Sequence, residues 1–348
     1  MQALASDASV AVRAAYHGPP ELTFARALTS WTLDPWSLAV IVVLGALYVA
    51  GVVAVRRRGG WWPTGQVVVF CGLGLGSGVI ATMSFVGVYQ PVLFYIRSVQ
   101  TVLLLLVVPL FVSMGRPLSL VIATLPRAGE RLQAAIDSRT ARLLTFPPIT
   151  TFVLVLTPFL VYFTPWYAAG FSSGVVVQLT RAALLVPGFV FFWTLLRVDP
   201  VPRAYPYIVT LWITAAEVIG DAVLGIAVIA DTSLLAGPYY HALARPWGPS
   251  IATSQVLGGG VLWILGDIVG LPFLAAQLIQ MMREDEAEAK VIDAELDARE
   301  VAVAAVDVVS AAAEAGAGAD GAQPAGQRPW WETDRRFADR FRPLDDPD

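Results

Sequence analysis

The sequence is poor in charge, lysine, histidine and cysteine. Only 14% of its 348 residues are charged, against about 25% in a typical soluble domain. Cys71 is the single cysteine, which excludes an internal disulfide and a cysteine metal cluster. Lys290 is the only lysine, and this preference for arginine is typical of a bacterium with a GC-rich genome. The net charge of −4 gives no sign of a nucleic-acid partner.

Long apolar runs separate the few charges, and the mean hydropathy is +0.65. A helix needs about 20 apolar residues to cross about 30 Å of hydrocarbon, and several runs reach that length. We predict an all-α fold, a polytopic membrane protein built as a bundle of seven transmembrane helices. The predicted spans are 36–55, 65–88, 92–114, 147–164, 175–196, 206–230 and 252–282.

Arginines between these runs predict the orientation of the chain. The segments after spans one, three, five and seven are rich in arginine, beginning with the run Arg56–Arg58. The other side carries only Arg13, Arg26 and Arg245. Because basic residues of short loops stay in the cytoplasm, we predict a bacterial cytoplasmic membrane protein with its N-terminus outside and its C-terminus inside.

The chain changes character on either side of the predicted bundle. Residues 1–35 are expected to form an external segment, and residues 36–282 the transmembrane domain. The charged, alanine-rich stretch 283–309 favours a cytoplasmic helical extension, and the alanine- and glycine-rich stretch 310–328 favours a disordered linker. Residues 329–348 combine aromatic residues with arginine, which suits the anionic inner leaflet or, alternatively, docking to a partner.

Polar and ionisable side chains inside the spans are costly and are therefore functional candidates. We predict that Arg97 and Arg181 face the bundle interior. Their expected partners are Glu217 and Asp221, while Asp267 is expected in the inner half with a separate role. The candidate binding cluster comprises Arg97, Gln100, Thr101, Arg181, Glu217, Asp221, Ser254 and Gln255. It could hold the bundle together through ion pairs, or form a binding site or ion path.

Motifs of hydrolases are missing from the sequence. There is no HExxH, no GxSxG and no aspartate pair with catalytic spacing. We therefore predict no catalytic residues and no enzymatic activity.

Short motifs spread through the bundle resemble a known family. They are Leu33-Asp34-Pro35, Leu47-Tyr48, Pro109-Leu110, Gly115-x-Pro117, Phe191-Phe192-Trp193 and Ser254-Gln255-x-x-x-Gly259-x-x-x-Trp263. In this order they resemble the CtaG (caa3-type) family of cytochrome c oxidase assembly factors over about residues 30–300. The resemblance implies a seven-span protein that helps copper reach the binuclear centre of the oxidase.

The third span departs from the pattern of that family. Where the family has His-Met-x-Gln-His, this chain has Arg97-Ser98-Val99-Gln100-Thr101, and Ser254 stands where the family usually has an aspartate. Imidazole and thioether suit copper, whereas arginine is always cationic. We therefore predict no metal in this cluster, and His241 and Met83 remain as alternative copper ligands.

The leading hypothesis for function is a membrane assembly factor for cytochrome c oxidase, with oxidase subunits in the lipid bilayer as partners. Copper is implied by the family alone. The alternative is a transporter or channel that passes an anion between Arg97 and Arg181. Inverted repeats with broken helices would favour a transporter, but Pro158 and Pro187 do not fall in corresponding contexts.

Overall fold

The computed structural model of the protein describes residues 16–203 and 205–317, and every regular element in these ranges is helical. The predicted all-helical class is thereby confirmed. The helices are α1 (Phe24–Thr29), α2 (Pro35–Arg57), α3 (Thr64–Tyr89), α4 (Phe94–Met114), α5 (Pro117–Thr124), α6 (Pro126–Ile136), α7 (Arg139–Leu144), α8 (Pro147–Phe163), α9 (Trp166–Ala169), α10 (Gly174–Leu196), α11 (Tyr207–Ala230), α12 (Gly237–Ala242) and α13 (Ile251–Ala317).

Six of these helices are long and apolar enough to cross a membrane, so the protein is a polytopic helical membrane protein. They are α2, α3, α4, α10, α11 and the Ile251–Arg283 part of α13. The predicted fourth span corresponds to α8, an apolar helix of 17 residues. At 1.5 Å per residue α8 is about 26 Å long, which makes it the shortest of the seven predicted spans.

Local sequence explains where the first spanning helix begins and ends. Asp34 caps α2 by accepting a hydrogen bond of 3.0 Å from the backbone N–H of Ser37, and Pro35 occupies the first helical turn, where its missing N–H costs nothing. Arg56 and Arg57 lie in the last turn, next to the partial negative charge of the helix C-terminus.

The two central helices α3 and α4 lie close together. Each contains a π-helical stretch, Val68–Leu75 in α3 and Leu103–Val107 in α4. At Gly74 a Cβ atom would come within 3.2 Å of the backbone nitrogen of Val112. Glycine therefore favours this close approach, because a larger residue would push the two helices apart by a few tenths of an ångström.

The main hydrophobic core joins α4, α8, α10, α11 and α13. Its fully buried members include Phe94, Tyr162, Phe191, Phe192 and Val228. The helices α9 and α12, which lie between spans, add Tyr167 and Tyr240 to the same core. This end of the bundle, called the α9–α12 end below, is therefore closed by buried aromatic side chains.

Two glycines set the distance between α11 and α13. A Cβ atom on Gly225 would lie 2.6 Å from the carbonyl oxygen of Gly259, and one on Gly259 would lie 2.7 Å from that of Gly225. The two backbones are thus in direct contact. Further along, Thr214 Oγ1 lies 3.3 Å from Gln277 Oε1 across the same pair of helices.

The chain divides between Met282 and Arg283 into two compact units. In the second unit Lys290 Nζ contacts Glu286 Oε1 at 2.7 Å, one helical turn apart. The helix extends to Ala317 and so includes residues 310–317, the first part of the stretch predicted as a linker. Alanine is the strongest helix former, and it prevails over the single glycine there. Residues 1–15, 318–328 and 329–348 lie outside the described residues.

Candidate functional site

Arg97 lies in the first turn of α4, and its side chain is buried, with 8% of the residue exposed. Its Nη1 donates a hydrogen bond of 2.8 Å to Gln90 Oε1. The guanidinium carbon lies 4.4 Å from the ring centroid of Phe171 and 5.0 Å from that of Tyr167. Aromatic faces attract cations, and more strongly where water is excluded, so an amide and two rings stabilise this buried charge.

The predicted pairing of Arg97 with Glu217 or Asp221 is wrong. Among the described residues no carboxylate forms an ion pair with Arg97. The predicted interior position is correct, and the aromatic rings supply what the carboxylates were expected to supply. These rings belong to α9 and to the segment after it, which the sequence analysis had left aside.

The aromatic side chains around Arg97 are themselves hydrogen-bonded. Tyr167 and Tyr240, which lie outside the spans, share a hydrogen bond of 2.9 Å between their hydroxyls. Burial raises the pKa of both phenols above the ordinary value, so both remain neutral. Phe171 stacks on Tyr239 with ring centroids 3.9 Å apart. Consecutive tyrosines before the seventh span were the sequence signal that could have revealed this cluster.

Gln100 and Thr101 lie on α4 and use their polar atoms within the protein. Gln100 Nε2 donates a hydrogen bond of 2.7 Å to the carbonyl oxygen of Ala81 in α3. Thr101 Oγ1 donates to the carbonyl oxygen of Arg97 at 3.0 Å and lies 2.9 Å from the hydroxyl of Tyr162 in α8. We call Arg97, Gln90, Thr101, Tyr162, Tyr167 and Phe171 the Arg97 network.

Ser254 and Gln255 join the start of α13 to its neighbours. Ser254 Oγ accepts a hydrogen bond of 3.1 Å from the backbone N–H of Phe94, the first residue of α4. Gln255 Nε2 donates to the carbonyl oxygens of Val228, Asp231 and Ser233, and its Oε1 accepts from the N–H of Leu235 at 2.9 Å. Gln255 thus satisfies backbone groups at the C-terminal end of α11.

Arg181 has a partner that the sequence analysis did not name. Its Nη1 forms an ion pair with Asp34 and a hydrogen bond of 2.8 Å with Ser37 Oγ, which joins α10 to the start of α2. The predicted pairing of Arg181 with Glu217 or Asp221 is therefore wrong. The side chains of Arg181 and Asp34 are 12% and 19% exposed. Burial alone would raise the pKa of Asp34, but the hydrogen bonds from Ser37 and Arg181 outweigh it and the pKa is lowered.

Glu217, Asp221 and Asp267 come together between α11 and α13. Asp267 is close enough to each of the first two to influence it electrostatically. The carboxylate of Asp221 lies against Gly266, and Glu217 Oε2 is 3.2 Å from where a Cβ on Gly270 would lie. The described residues provide no ion pair to these acids, and Asp267 Oδ1 is buried without a hydrogen bond. We call these three acids the carboxylate seam.

The two alternative copper ligands occupy different environments. Met83 lies near the C-terminal end of α3 and is buried, with 4% of the residue exposed. His241 lies on α12 and is exposed. His241 lines a cavity of about 400 Å³ together with Arg245 and Trp247. Within residues 16–203 and 205–317, no three histidine, cysteine or acidic side chains are placed to hold a metal together.

This geometry defines a class of protein. The chain is a multi-pass helical membrane protein in which buried polar side chains, at the α9–α12 end, join the helices through hydrogen bonds and aromatic contacts.

Sequence comparison names the family. The profile of the cytochrome c oxidase caa3 assembly factor family, Caa3_CtaG, matches residues 46–284, which is more than half of the chain. The protein belongs to this family, as its motifs predicted.

Relatives are found in mycobacteria. Uncharacterized proteins of Mycobacterium bovis and Mycobacterium tuberculosis are each 32% identical over 279 residues, which cover 78% of this chain and 42% of theirs. A protein of Mycobacterium leprae is 29% identical over the same length and the same shares. The chain thus spans less than half the length of the curated relatives it matches. No solved structure matches.

Proposed function

We propose that this protein is a membrane assembly factor for cytochrome c oxidase that acts by contact with oxidase subunits and not as an enzyme. The observation that carries the proposal is the family match, because it covers residues 46–284 and therefore most of the membrane-spanning part. Membrane helices rich in small residues and interhelical polar contacts are suited to association with other helices in the bilayer.

We further propose that the Arg97 network does not carry copper. Copper(I) prefers soft thiolate or thioether ligands, and copper in general accepts imidazole. Arg97 is a permanent cation, and it occupies the first of the two family histidine positions. Thr101 occupies the second position, and its hydroxyl forms a hydrogen bond with the hydroxyl of Tyr162. The side-chain amide of Gln100 donates a hydrogen bond to the carbonyl oxygen of Ala81. The donor set does not fit copper, so any effect on the metal content of the oxidase would be indirect.

The proposed topology has seven spans, with the N-terminus outside. Support comes from the two ends of α8. Phe146, just before α8, contacts Tyr205 in the α10–α11 connection, with ring centroids 6.0 Å apart. Tyr162, near the other end, contacts Tyr167 at 5.2 Å, and Tyr167 bonds to Tyr240 in the α11–α13 connection. These contacts extend α8 from one end of α11 to the other, which supports its assignment as a span despite its 17 residues.

Reporter fusions test this topology. A reporter fused after Arg203 is expected to behave as cytoplasmic, and one fused within residues 232–245 as external. The opposite result for both fusions would show that the orientation is the reverse of the proposed one. Both reporters on the same side would show that the segment between them does not cross the membrane.

The functional test is a deletion strain complemented with variants. Deletion is expected to lower the amount of assembled oxidase in membranes, and the wild-type gene is expected to restore it. Purified protein is expected to bind no tight equivalent of Cu(I) that depends on Arg97, Gln100 or Gln255. Unchanged oxidase after deletion would refute the assembly role. Tight copper lost only on mutating His241 or Met83 would instead place a copper site elsewhere in the chain.

A further inference from the structure

An apolar groove lies between α2, α3, α4 and α10, away from the Arg97 network. Its volume is about 480 Å³, within the range of small-molecule sites in proteins. Its walls are aliphatic and aromatic, from residues such as Val40, Leu44, Leu104 and Val186. The wall hydroxyl of Thr82 is already used, because it donates to the carbonyl oxygen of Gly78 at 2.8 Å.

The groove has a polar end and an apolar body. Gln178, Arg181 and Ser37 lie at the α9–α12 end, and Phe189 marks the far limit on α10. From Gln178 to Phe189 the helix rises about 16 Å, which is about half of the roughly 30 Å hydrocarbon core of a bilayer. The groove therefore has the depth of one leaflet, starting from one membrane surface.

Arg181 presents a free donor at the polar end. All of its hydrogen bonds, to Asp34, Ser37 and Gln178, come from Nη1. No described residue accepts a hydrogen bond from Nη2, and Nη2 is not fully buried. Arg181 lines the groove, and its Nη2 has N–H groups that can donate to an oxygen of a bound molecule.

The side of the groove opens toward the surroundings of the bundle. Trp36 and Val186 on its rim are 72% and 60% exposed. Trp36 is in the first turn of α2, where a tryptophan typically marks the membrane interface. In a membrane this opening faces lipid, so a lipid chain can enter from the side.

We propose that this groove binds one phospholipid of the leaflet at the α9–α12 end, with an acyl chain along the groove and a phosphate or ester oxygen on Arg181 Nη2. An acyl chain suits the apolar walls because it has no polar groups to satisfy. The inference does not depend on the assembly role.

Lipid retention by the full chain tests the proposal. Protein purified in mild detergent is expected to retain about one phospholipid per chain, measured by native mass spectrometry. Gly78→Leu should remove the lipid, because Gly78 lines the groove and a leucine side chain would occupy it. The variant should still fold, because a Cβ at this position would lie 3.6 Å from its nearest atom, on Ile41, which is an ordinary contact distance. Gly76→Leu is the matched control, since a Cβ there meets nothing within 4 Å, and it should retain the lipid.

A second variant examines the headgroup contact. Arg181→Lys keeps a cation for Asp34 but removes the Nη2 donor, and it is expected to lower retention. Equal retention by Arg181→Lys and wild type would overturn the headgroup contact.

Photo-crosslinking covers the case in which Gly78→Leu does not fold. Wild-type protein in vesicles of phosphatidylglycerol and phosphatidylethanolamine, with a photoactivatable group on the acyl chain, should be labelled on α2 and α10 within the groove. Uniform labelling of all spans, or full retention by Gly78→Leu, would overturn the proposal. The proposal would also be overturned if the wild type had the mass of a dimer and Gly78→Leu that of a monomer. The groove would then be an interface between two copies of the chain.

Discussion

The Arg97 network and the carboxylate seam are both buried and polar, but they differ in the partners that surround their ionisable side chains. Arg97 has an amide and two aromatic rings around its guanidinium. In the seam, Glu217 and Asp221 are 2% and 7% exposed, and the described residues offer them no cation. The comparison shows that the permanent charge of Arg97 is stabilised without an opposite charge, whereas the three acids pack beside one another.

The glycines of α11 and α13 explain how the seam forms. Gly225 and Gly259 bring the two backbones together, and Gly266 and Gly270 leave room beside Asp221 and Glu217. The acids are thus held beside a close contact between two helix backbones, whereas the Arg97 network is lined by aromatic side chains. Variants of each region can separate these two arrangements.

Gly225→Leu should have the largest effect. Its Cβ would lie 2.6 Å from the carbonyl oxygen of Gly259, and a backbone atom cannot yield without moving α13. We expect a loss of about 3 kcal/mol of unfolding free energy, the upper part of the range for overpacking, and little folded protein in detergent. Gly260→Leu is the control, because a Cβ there meets nothing within 4 Å. Equal stability of the two variants would show that the seam is not closely packed.

Arg97→Leu should come next. It removes two cation–π contacts and leaves the side-chain oxygen of Gln90 without its donor. We expect a loss of about 2 kcal/mol, since desolvated cation–π contacts reach that size. Arg97→Lys should recover part of it, and Phe171→Leu should cost less than Arg97→Leu. Thermal unfolding followed by size-exclusion chromatography measures all three. A paired Glu217→Gln change that rescues Arg97→Leu would contradict the structure, because it would show that the two side chains interact.

The spans could be predicted from the sequence because their physical cause is local. The fifth was predicted at 175–196 and is found at Gly174–Leu196, since an apolar run and its flanking residues fix a helix in a membrane. The partners of the buried charges depend on contacts distant in sequence. Asp34 lies 147 residues from Arg181, and Phe171 is reached by Arg97 only through packing. No periodicity encodes such pairs.

The error about Arg97 and Arg181 has a common origin. Opposite charges in neighbouring spans were expected to pair, because an isolated charge in hydrocarbon is costly. Arg97 instead uses rings contributed between the spans, and Arg181 uses the acid that caps α2. Both partners lie at the ends of helices, where the sequence analysis assigned connections and not sites.

Asp34→Asn should have an intermediate effect that depends on pH. The pKa of Asp34 is lowered in the folded protein, so its contribution to stability is present above the ordinary aspartate pKa of about 3.9 and is lost as the pH falls through the lowered value. At pH 7 we expect a loss of about 1–2 kcal/mol, less than for a fully buried pair. The gap between wild type and variant in apparent Tm should narrow below about pH 4. Asp137→Asn, at an exposed site, should show no such gap.

The smallest effect is expected in the carboxylate seam. Glu217→Gln and Asp221→Asn keep the size of each side chain and remove its capacity to carry negative charge. Since no described cation or hydrogen-bond partner is lost, and like charges in proximity repel, each variant should leave stability unchanged within about 0.5 kcal/mol or raise it. Comparison with Arg97→Leu under identical detergent conditions decides the matter. A loss of stability as large as that of Arg97→Leu would mean that the acids bind a cation or a partner in the membrane. The ionisable side chains of both regions would then be stabilised by partners.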